Sequence, residues 1–283
     1  MVVEVRARRE NAAARRSRAA AAALAVLGSL AFLAAGAVPA RAVADGTPAK
    51  EGQYRFAVKL TMTGIPRPDG STYNSGCSGA LIAPQWVMTA GHCFHDENRV
   101  PVSGAVPYQT TATIGRTDDS DTDGVVADVV EDYQSPAGDI AIAKLATPVY
   151  GIRPLALAVT APAAGEIVRI AGWGSLSDAD PAPATHLQTG QFTITAVSGT
   201  VVNLVGYKPQ ATTSACLYDS GAPYFTRSGH GRPRLASVES NGPSCPDTGP
   251  ETTSRVDTIA WWAQQTMAAH AQEGDGRSRR TWR

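Results

Sequence analysis

The chain has 283 residues, only 18% of them charged and 6% aromatic, and 25 Lys and Arg balance 25 Asp and Glu. That length holds one large domain or two fused small barrels. That balance misleads, because arginines cluster at the N-terminus; beyond residue 42 no basic stripe remains, which argues against nucleic acid as a partner. Abundant Gly, Ala, Thr, Val and Ser suit an exported β-rich protein better than a helical one.

Residues 1–42 read as an export signal. Arg6, Arg8, Arg9, Arg15, Arg16 and Arg18 form a basic leader, Ala19 to Val38 is uncharged and almost wholly apolar, and Ala40-Arg41-Ala42 fits a small-x-small cleavage site. An apolar run of about 20 residues is also long enough to anchor in a bilayer, but a cleavage site follows it directly. Arg15-Arg16-Ser17 leaves both the general and the twin-arginine export routes open. Cleavage after Ala42 makes Val43 the new terminus. It leaves 18 basic and 23 acidic residues, with no further membrane contact expected. All four cysteines lie beyond the leader, so an even count in an oxidising compartment reads as two disulfides, with three pairings possible. A zinc site is disfavoured because no Cys-x-x-Cys spacing occurs.

Beyond the leader, short Val-, Ile- and Thr-rich segments recur between Gly, Pro, Asn and Asp clusters. Phe56–Leu60, Trp86–Thr89, Thr111–Ile114, Ile140–Leu145, Ile167–Ala171, Phe192–Ala196, Val201–Val205 and Leu235–Glu239 are the clearest. This pattern predicts an all-β sandwich or barrel. Asp119-Ser120-Asp121-Thr122-Asp123-Gly124 matches the first half of an EF-hand loop. The closing acid, Glu131, comes one place late, so a solvated acidic loop is the plainer reading. Arg255 to Met267 reads as a helix, with Val256, Ile259, Ala260, Ala263 and Met267 at helical spacing. Residues 271–283 are expected to be a polar, disordered tail.

Three strings carry the chemistry. Met88-Thr89-Ala90-Gly91-His92-Cys93 ends an apolar run on a histidine. Asp139-Ile140-Ala141-Ile142-Ala143-Lys144-Leu145 begins a strand with an aspartate. Tyr218-Asp219-Ser220-Gly221-Ala222-Pro223 places a serine in a small-residue turn. A serine hydroxyl needs a base within hydrogen-bond reach, and the base needs an orienting partner.

In motif and in chain order, these strings resemble the chymotrypsin/trypsin-like serine peptidases, as a bacterial-type secreted member. Ala171-Gly172-Trp173-Gly174 and Ser240-Asn241-Gly242 extend the resemblance over roughly residues 43–267. It implies two six-stranded antiparallel β-barrels with the site in the cleft between them, joined near residues 149–163, plus a C-terminal helix. The peptidase domain then covers residues 43–270. It also implies His92, Asp139 and Ser220 as catalytic residues, and the backbone N–H groups of Tyr218 and Ser220 as the oxyanion hole. Asp219 would pair with a free amino group on Val43, and disulfides would join Cys77–Cys93 and Cys216–Cys245. Ser214, Ser240, Asn241, Gly242 and Glu251 would contact substrate. The implied activity is hydrolysis of polypeptides by a secreted, monomeric endopeptidase with no cofactor and no metal.

The departures from the family pattern bear on activity and specificity. Tyr218 stands where the family has glycine in the oxyanion turn, and tyrosine resists the positive φ that glycine accepts. With Ala222 it leaves open a catalytically weak, peptide-binding member. Ser214, six residues before Ser220, implies an apolar or aromatic preference; Glu251 reads first as a solvated loop glutamate, and pointing inward it would narrow the pocket or admit a basic side chain. Asn241 replaces a tryptophan of the neighbouring subsites.

Overall fold

The computed structural model describes residues 43–226 and 232–278; the segment read as an export signal, residues 1–42, lies outside the described residues. In chain order the strands are β1 (Thr47–Pro48), β2 (Ala57–Pro66), β3 (Thr72–Ala83), β4 (Trp86–Thr89), β5 (Gly104–Ala105), β6 (Gln109–Ile114), β7 (Val125–Gln134) and β8 (Ala141–Leu145). They continue with β9 (Ala156–Leu157), β10 (Ile167–Gly172), β11 (Gln188–Ser198), β12 (Val201–Lys208), β13 (Pro223–Thr226), β14 (Arg234–Asn241) and β15 (Glu251–Arg255), and end in helix α1 (Ala260–Ser278).

Two six-stranded antiparallel barrels result. The first runs β7-β6-β2-β3-β4-β8 and is closed by β8 pairing back to β7, with β5 added beside β7. The second runs β11-β10-β13-β14-β15-β12 and is closed by β12 on β11, with β1 and β9 added outside. Closure satisfies strand edges that an open sheet would expose. The residue pattern follows: along β6 the second, fourth and sixth residues, Thr110, Ala112 and Ile114, are buried, as one wall of a barrel requires.

The interior of the second barrel is one apolar cluster built on Val168, Ile170, Phe192, Ile194, Leu204 and Tyr224. The first barrel's cluster does not stop at its own wall. It continues through Phe225, Leu235 and Val238 of the second barrel and into Val256, Ile259 and Ala263. Across this seam Phe225 meets Tyr54 and Phe56 edge-on, at centroid distances of 5.0 and 5.2 Å. Such pairs add specific geometry to their burial. The barrels are therefore joined by an apolar, packed face that sets the cleft between them.

The helix departs from expectation at both ends. It begins at Ala260 rather than Arg255, because the N–H of Val256 is still bonded to Ala236 O and that of Ile259 closes a turn onto Val256. The apolar face that the spacing marked is nonetheless buried, from Val256 through Ala263. At the other end the helix continues to Ser278, into the stretch read as a tail, where Ala271, Gln272 and Glu273 favour helix. His270 packs 4.4 Å from the Tyr133 ring of the first barrel and accepts or shares a 3.0 Å hydrogen bond with its hydroxyl. Residues 279–283 lie outside the described residues.

The acidic loop is largely exposed, and its carboxylates have partners. Asp119 binds Lys59 Nζ, Asp118 binds His186 Nδ1 at 3.0 Å, and Asp121 accepts the backbone N–H groups of Thr117 and Asp118. Because Lys59 also donates to Ala184 O and lies over the Trp173 ring, the loop ties one barrel to the other.

Phe225→Ala should destabilise the protein by about 3–5 kcal/mol, the cost of emptying a fully packed aromatic site. Urea unfolding followed by tryptophan fluorescence measures this; a loss below about 1 kcal/mol would show that the seam is not tightly packed.

Candidate active site

His92 sits in a 3-10 turn, Gly91–Cys93, that ends β4. Asp139 lies in the tight turn before β8, where Gly138 takes a φ of 74°. The carboxylate grips the histidine twice: Oδ1 accepts the His92 backbone N–H at 2.8 Å, and Oδ2 lies 2.7 Å from Nδ1. Two second-barrel serines hold Asp139 in turn. Ser240 Oγ donates to Oδ2 at 2.6 Å, and Ser254 Oγ accepts the Asp139 N–H at 2.9 Å. Burial pushes the Asp139 carboxyl up, but the hydrogen bond and charge of His92, with the Ser240 hydroxyl, outweigh it and hold the group below the usual carboxylate range. An ionised Asp139 fixes the proton of His92 on Nδ1 and leaves Nε2 as the basic nitrogen.

The serine loop is locked by its neighbours. Ser78 N–H donates to Ser220 O at 2.8 Å, Ser78 Oγ donates to Tyr218 O at 3.0 Å, and Trp173 N–H donates to Ser78 Oγ at 3.0 Å. Cys77, joined to Cys93 by a disulfide, places Ser78 there; a second disulfide joins Cys216 to Cys245. Gly221 has a φ of 81°, and a Cβ on it would stand 2.4 Å from Ser78 O, so only glycine fits. The N–H groups of Asp219, Gly221 and Ala222 are bonded to Cys216 O, Glu239 O and Asp219 O. Those of Tyr218 and Ser220 have no acceptor among the described residues. Tyr218 has a φ of 74°, so it holds the left-handed conformation for which glycine is suited, at a strain of about 1–3 kcal/mol.

Ser220 stands between two cavities. One, of about 360 Å³, is shared with His92, Tyr218, Tyr73 and Arg99. The other, of about 310 Å³, is lined by Ser240, Asn241, Gly242, Glu239 and Glu251. Asn241 and Gly242 are exposed at its mouth, at the end of β14. The structure does not bring Ser214 to the wall of that cavity. Its hydroxyl donates to Thr212 O and accepts the N–H of Asp247. The wall comes instead from Ala215 and from Glu251, which is fully buried and accepts the Ala215 N–H at 2.8 Å.

The Trypsin family model matches residues 43–263. The chain belongs to the trypsin family. Among its relatives, serine protease SP24D of Anopheles gambiae is 28% identical over 80% of this chain and 81% of its own length. Serine protease 56 of Mus musculus is 27% identical over 80% of this chain, which spans only 39% of that protein. Snake venom serine protease KN14 of Trimeresurus stejnegeri is 33% identical over 45% of this chain and 47% of its own length. These are animal proteins and lend no support to a bacterial-type member.

In this trypsin-family chain Asp219 is fully buried, held by the N–H groups of Gly174 at 2.8 Å and Cys216 at 3.1 Å. Its carboxylate fills the space at Gly172 and Gly174, where a Cβ would stand about 2 Å from it. Burial raises its pKa to about 7, against the pull of those two N–H groups. No cation pairs with it in the continuous chain among the described residues. Val43 is also fully buried, in the apolar cluster of the second barrel that contains Ala215 and Ala222.

Sequence reading missed three contributors. Ser78 and Ser254 are small polar residues whose roles appear only when the barrels meet. Glu239, which belongs to none of the three catalytic strings, lines the second cavity from β14. The signal that could have marked it is a continuous run rather than alternation: Leu235 to Glu239 is buried throughout and ends on a charge.

Replacing Tyr218 by Gly should relieve backbone strain and raise stability by about 1 kcal/mol. Thermal unfolding checks this, and a lower midpoint would show that the ring's packing outweighs the strain. The buried Asp219 sets a pH dependence. A carboxyl whose folded pKa is raised binds its proton more tightly in the folded state, so its contribution to stability is greatest below pH 3.8 and is lost as pH rises through about 7. In protein not cleaved before Val43, Asp219→Asn should flatten the fall in stability between these pH values. Urea midpoints at pH 4, 5.5 and 7 measure it, and an unchanged slope would overturn the assignment.

Proposed function

We propose that the protein is an endopeptidase that cleaves polypeptides through an acyl-enzyme on Ser220. One observation carries the reading: Asp139 binds both the backbone and the ring of His92, while His92 and Ser220 line one cavity. His92 Nε2 takes the proton of Ser220 as Oγ attacks the substrate carbonyl carbon. It then gives that proton to the departing amine as the peptide C–N bond breaks. Water repeats the sequence, and the acid product leaves. Asp139 stays ionised throughout and offsets the imidazolium charge. The unengaged N–H groups of Tyr218 and Ser220 receive the oxyanion. Because Tyr218 keeps the left-handed φ, its N–H direction is the one a glycine would give, which favours an active enzyme over a passive peptide binder. Its ring, on the leaving-group side of the cleft, narrows the range of substrates.

Residues 1–42 direct export on this reading, and cleavage after Ala42 frees the Val43 amino group to pair with Asp219 without a separate propeptide. Among the described residues no helix is long and apolar enough to cross a membrane.

A fluorophosphonate probe tests the central step. Stoichiometric labelling of the wild type and none of Ser220→Ala is the expected outcome. Absence of labelling in folded protein that begins at Val43 would refute an activated serine.

A further inference from the structure

A third cavity, of about 410 Å³, lies where the two barrels are joined and shares no lining residue with the two beside Ser220. The connection from β8 to β9 supplies Arg153 and Leu155, the turn before β2 supplies Arg55 and Phe56, and the approach to β14 supplies Arg232 and Pro233. The fold fixes these walls. Leu155 N–H donates to Leu81 O at 2.8 Å and pins the connection to the first barrel, while β9 pairs with β14 and pins it to the second. Phe56 is buried and meets the Phe225 ring edge-on. The cavity is thus formed without a ligand, within the size range of ordinary binding pockets.

Its charge runs against that of the rest of the domain. Beyond residue 42 the chain has 23 acidic and 18 basic residues, yet three arginines and no Asp or Glu line this cavity. Arg153 and Arg232 are exposed and make no ion pair among the described residues. Arg55 has a partner, Asp123, which lies outside the lining at 3.6 Å, but the two side chains are 42% and 66% exposed. A pair so exposed contributes little and leaves Arg55 open to a second carboxylate. Inside the ring of arginines the buried Phe56 and Leu155 offer an apolar floor. Tyr150, one residue before the lining Gly151, is 77% exposed and extends that apolar surface outward.

We propose that this cavity is a docking site for an acidic peptide segment of a partner protein, one that carries an apolar or aromatic side chain between carboxylates. The proposal goes beyond the endopeptidase reading and does not depend on it. The arginines come from three separate stretches of chain around one mouth, so they match several carboxylates rather than one. A guanidinium meets a carboxylate through two parallel hydrogen bonds, which makes arginine the fitting cation here. An apolar anchor seated in a pocket and ringed by polar contacts is the arrangement that concentrates binding energy in an interface. A sulfated polysaccharide would meet the arginines but has no apolar side chain to place against Phe56 and Leu155. A peptide held by Arg55, Arg153 and Arg232 touches the first barrel, the connection and the second barrel together, and it leaves the cavities beside Ser220 open.

The test uses the full chain with Ser220→Ala, so that no probe is cut, and reads binding by fluorescence anisotropy. The probe is fluorescein-labelled Glu-Asp-Glu-Phe-Asp-Glu amide. Saturable binding is expected, and Arg153→Glu combined with Arg232→Glu should weaken it at least tenfold. Both arginines are exposed, so the melting temperature should not change. Two altered probes keep the test independent of that variant: replacing the phenylalanine by glutamine, or every acidic residue by its amide, should each weaken binding to the parent protein at least tenfold. No saturable binding, equal binding of either altered probe, or undiminished binding in the double variant overturns the proposal. So does a heparin fragment that binds through these arginines where the peptide does not, which would make the cavity a polysaccharide site. Competition by an active-site peptide inhibitor would place the probe in the cleft and overturn it as well. Peptide binding in a protein whose wild-type serine resists fluorophosphonate would support the docking site and defeat the endopeptidase reading alone.

Discussion

The Asp139 carboxylate is the constraint on which the site depends. It accepts from the first barrel through the backbone and ring of His92, and from the second through Ser240, while Ser254 holds its own backbone. A side chain bound on both sides of a cleft fixes the distance between the walls as well as the angle of one ring. The packed seam around Phe225 makes that arrangement affordable, because the barrels do not slide on one another. Preorganisation of this kind places the proposed proton transfers on rigid elements rather than on loops free to drift.

The serine loop shows how the chain tolerates departures from its family's pattern. Ala222 is accepted because its backbone lies outside the left-handed region and its methyl packs in the second barrel's core. Tyr218 is accepted at a cost, its φ held by Ser78 and by the turn that Asp219 and Gly221 close. Gly91, next to His92, is matched by Gln134, whose Oε1 would stand 2.5 Å from a Cβ there and whose amide donates to Gly91 O. Each change is local, and each is answered by a neighbour.

Much of this was legible beforehand. The alternating Val, Ile and Thr segments marked the strands, and the resemblance of the Gly-His-Cys and Asp-Ser-Gly strings supplied the two-barrel arrangement and both disulfides. The helix was visible as an apolar face but its first turn was not, since Val256 keeps the helical spacing while its N–H is bonded to a strand. Pocket chemistry was the least legible. Ser214 could be placed by counting from Ser220, but whether it reached the cavity depended on Glu251, a residue of β15 whose burial no local pattern announces. The partners of the acidic loop were hidden for a related reason: Lys59 and His186 lie far away in sequence.

The C-terminal helix follows the second barrel in sequence but packs on the first. Val256, Ile259, Ala260 and Ala263 join the first barrel's apolar cluster, and His270 meets Tyr133 and Trp86. During synthesis the first barrel emerges before the residues that cover this flank, which follow the second barrel in the chain.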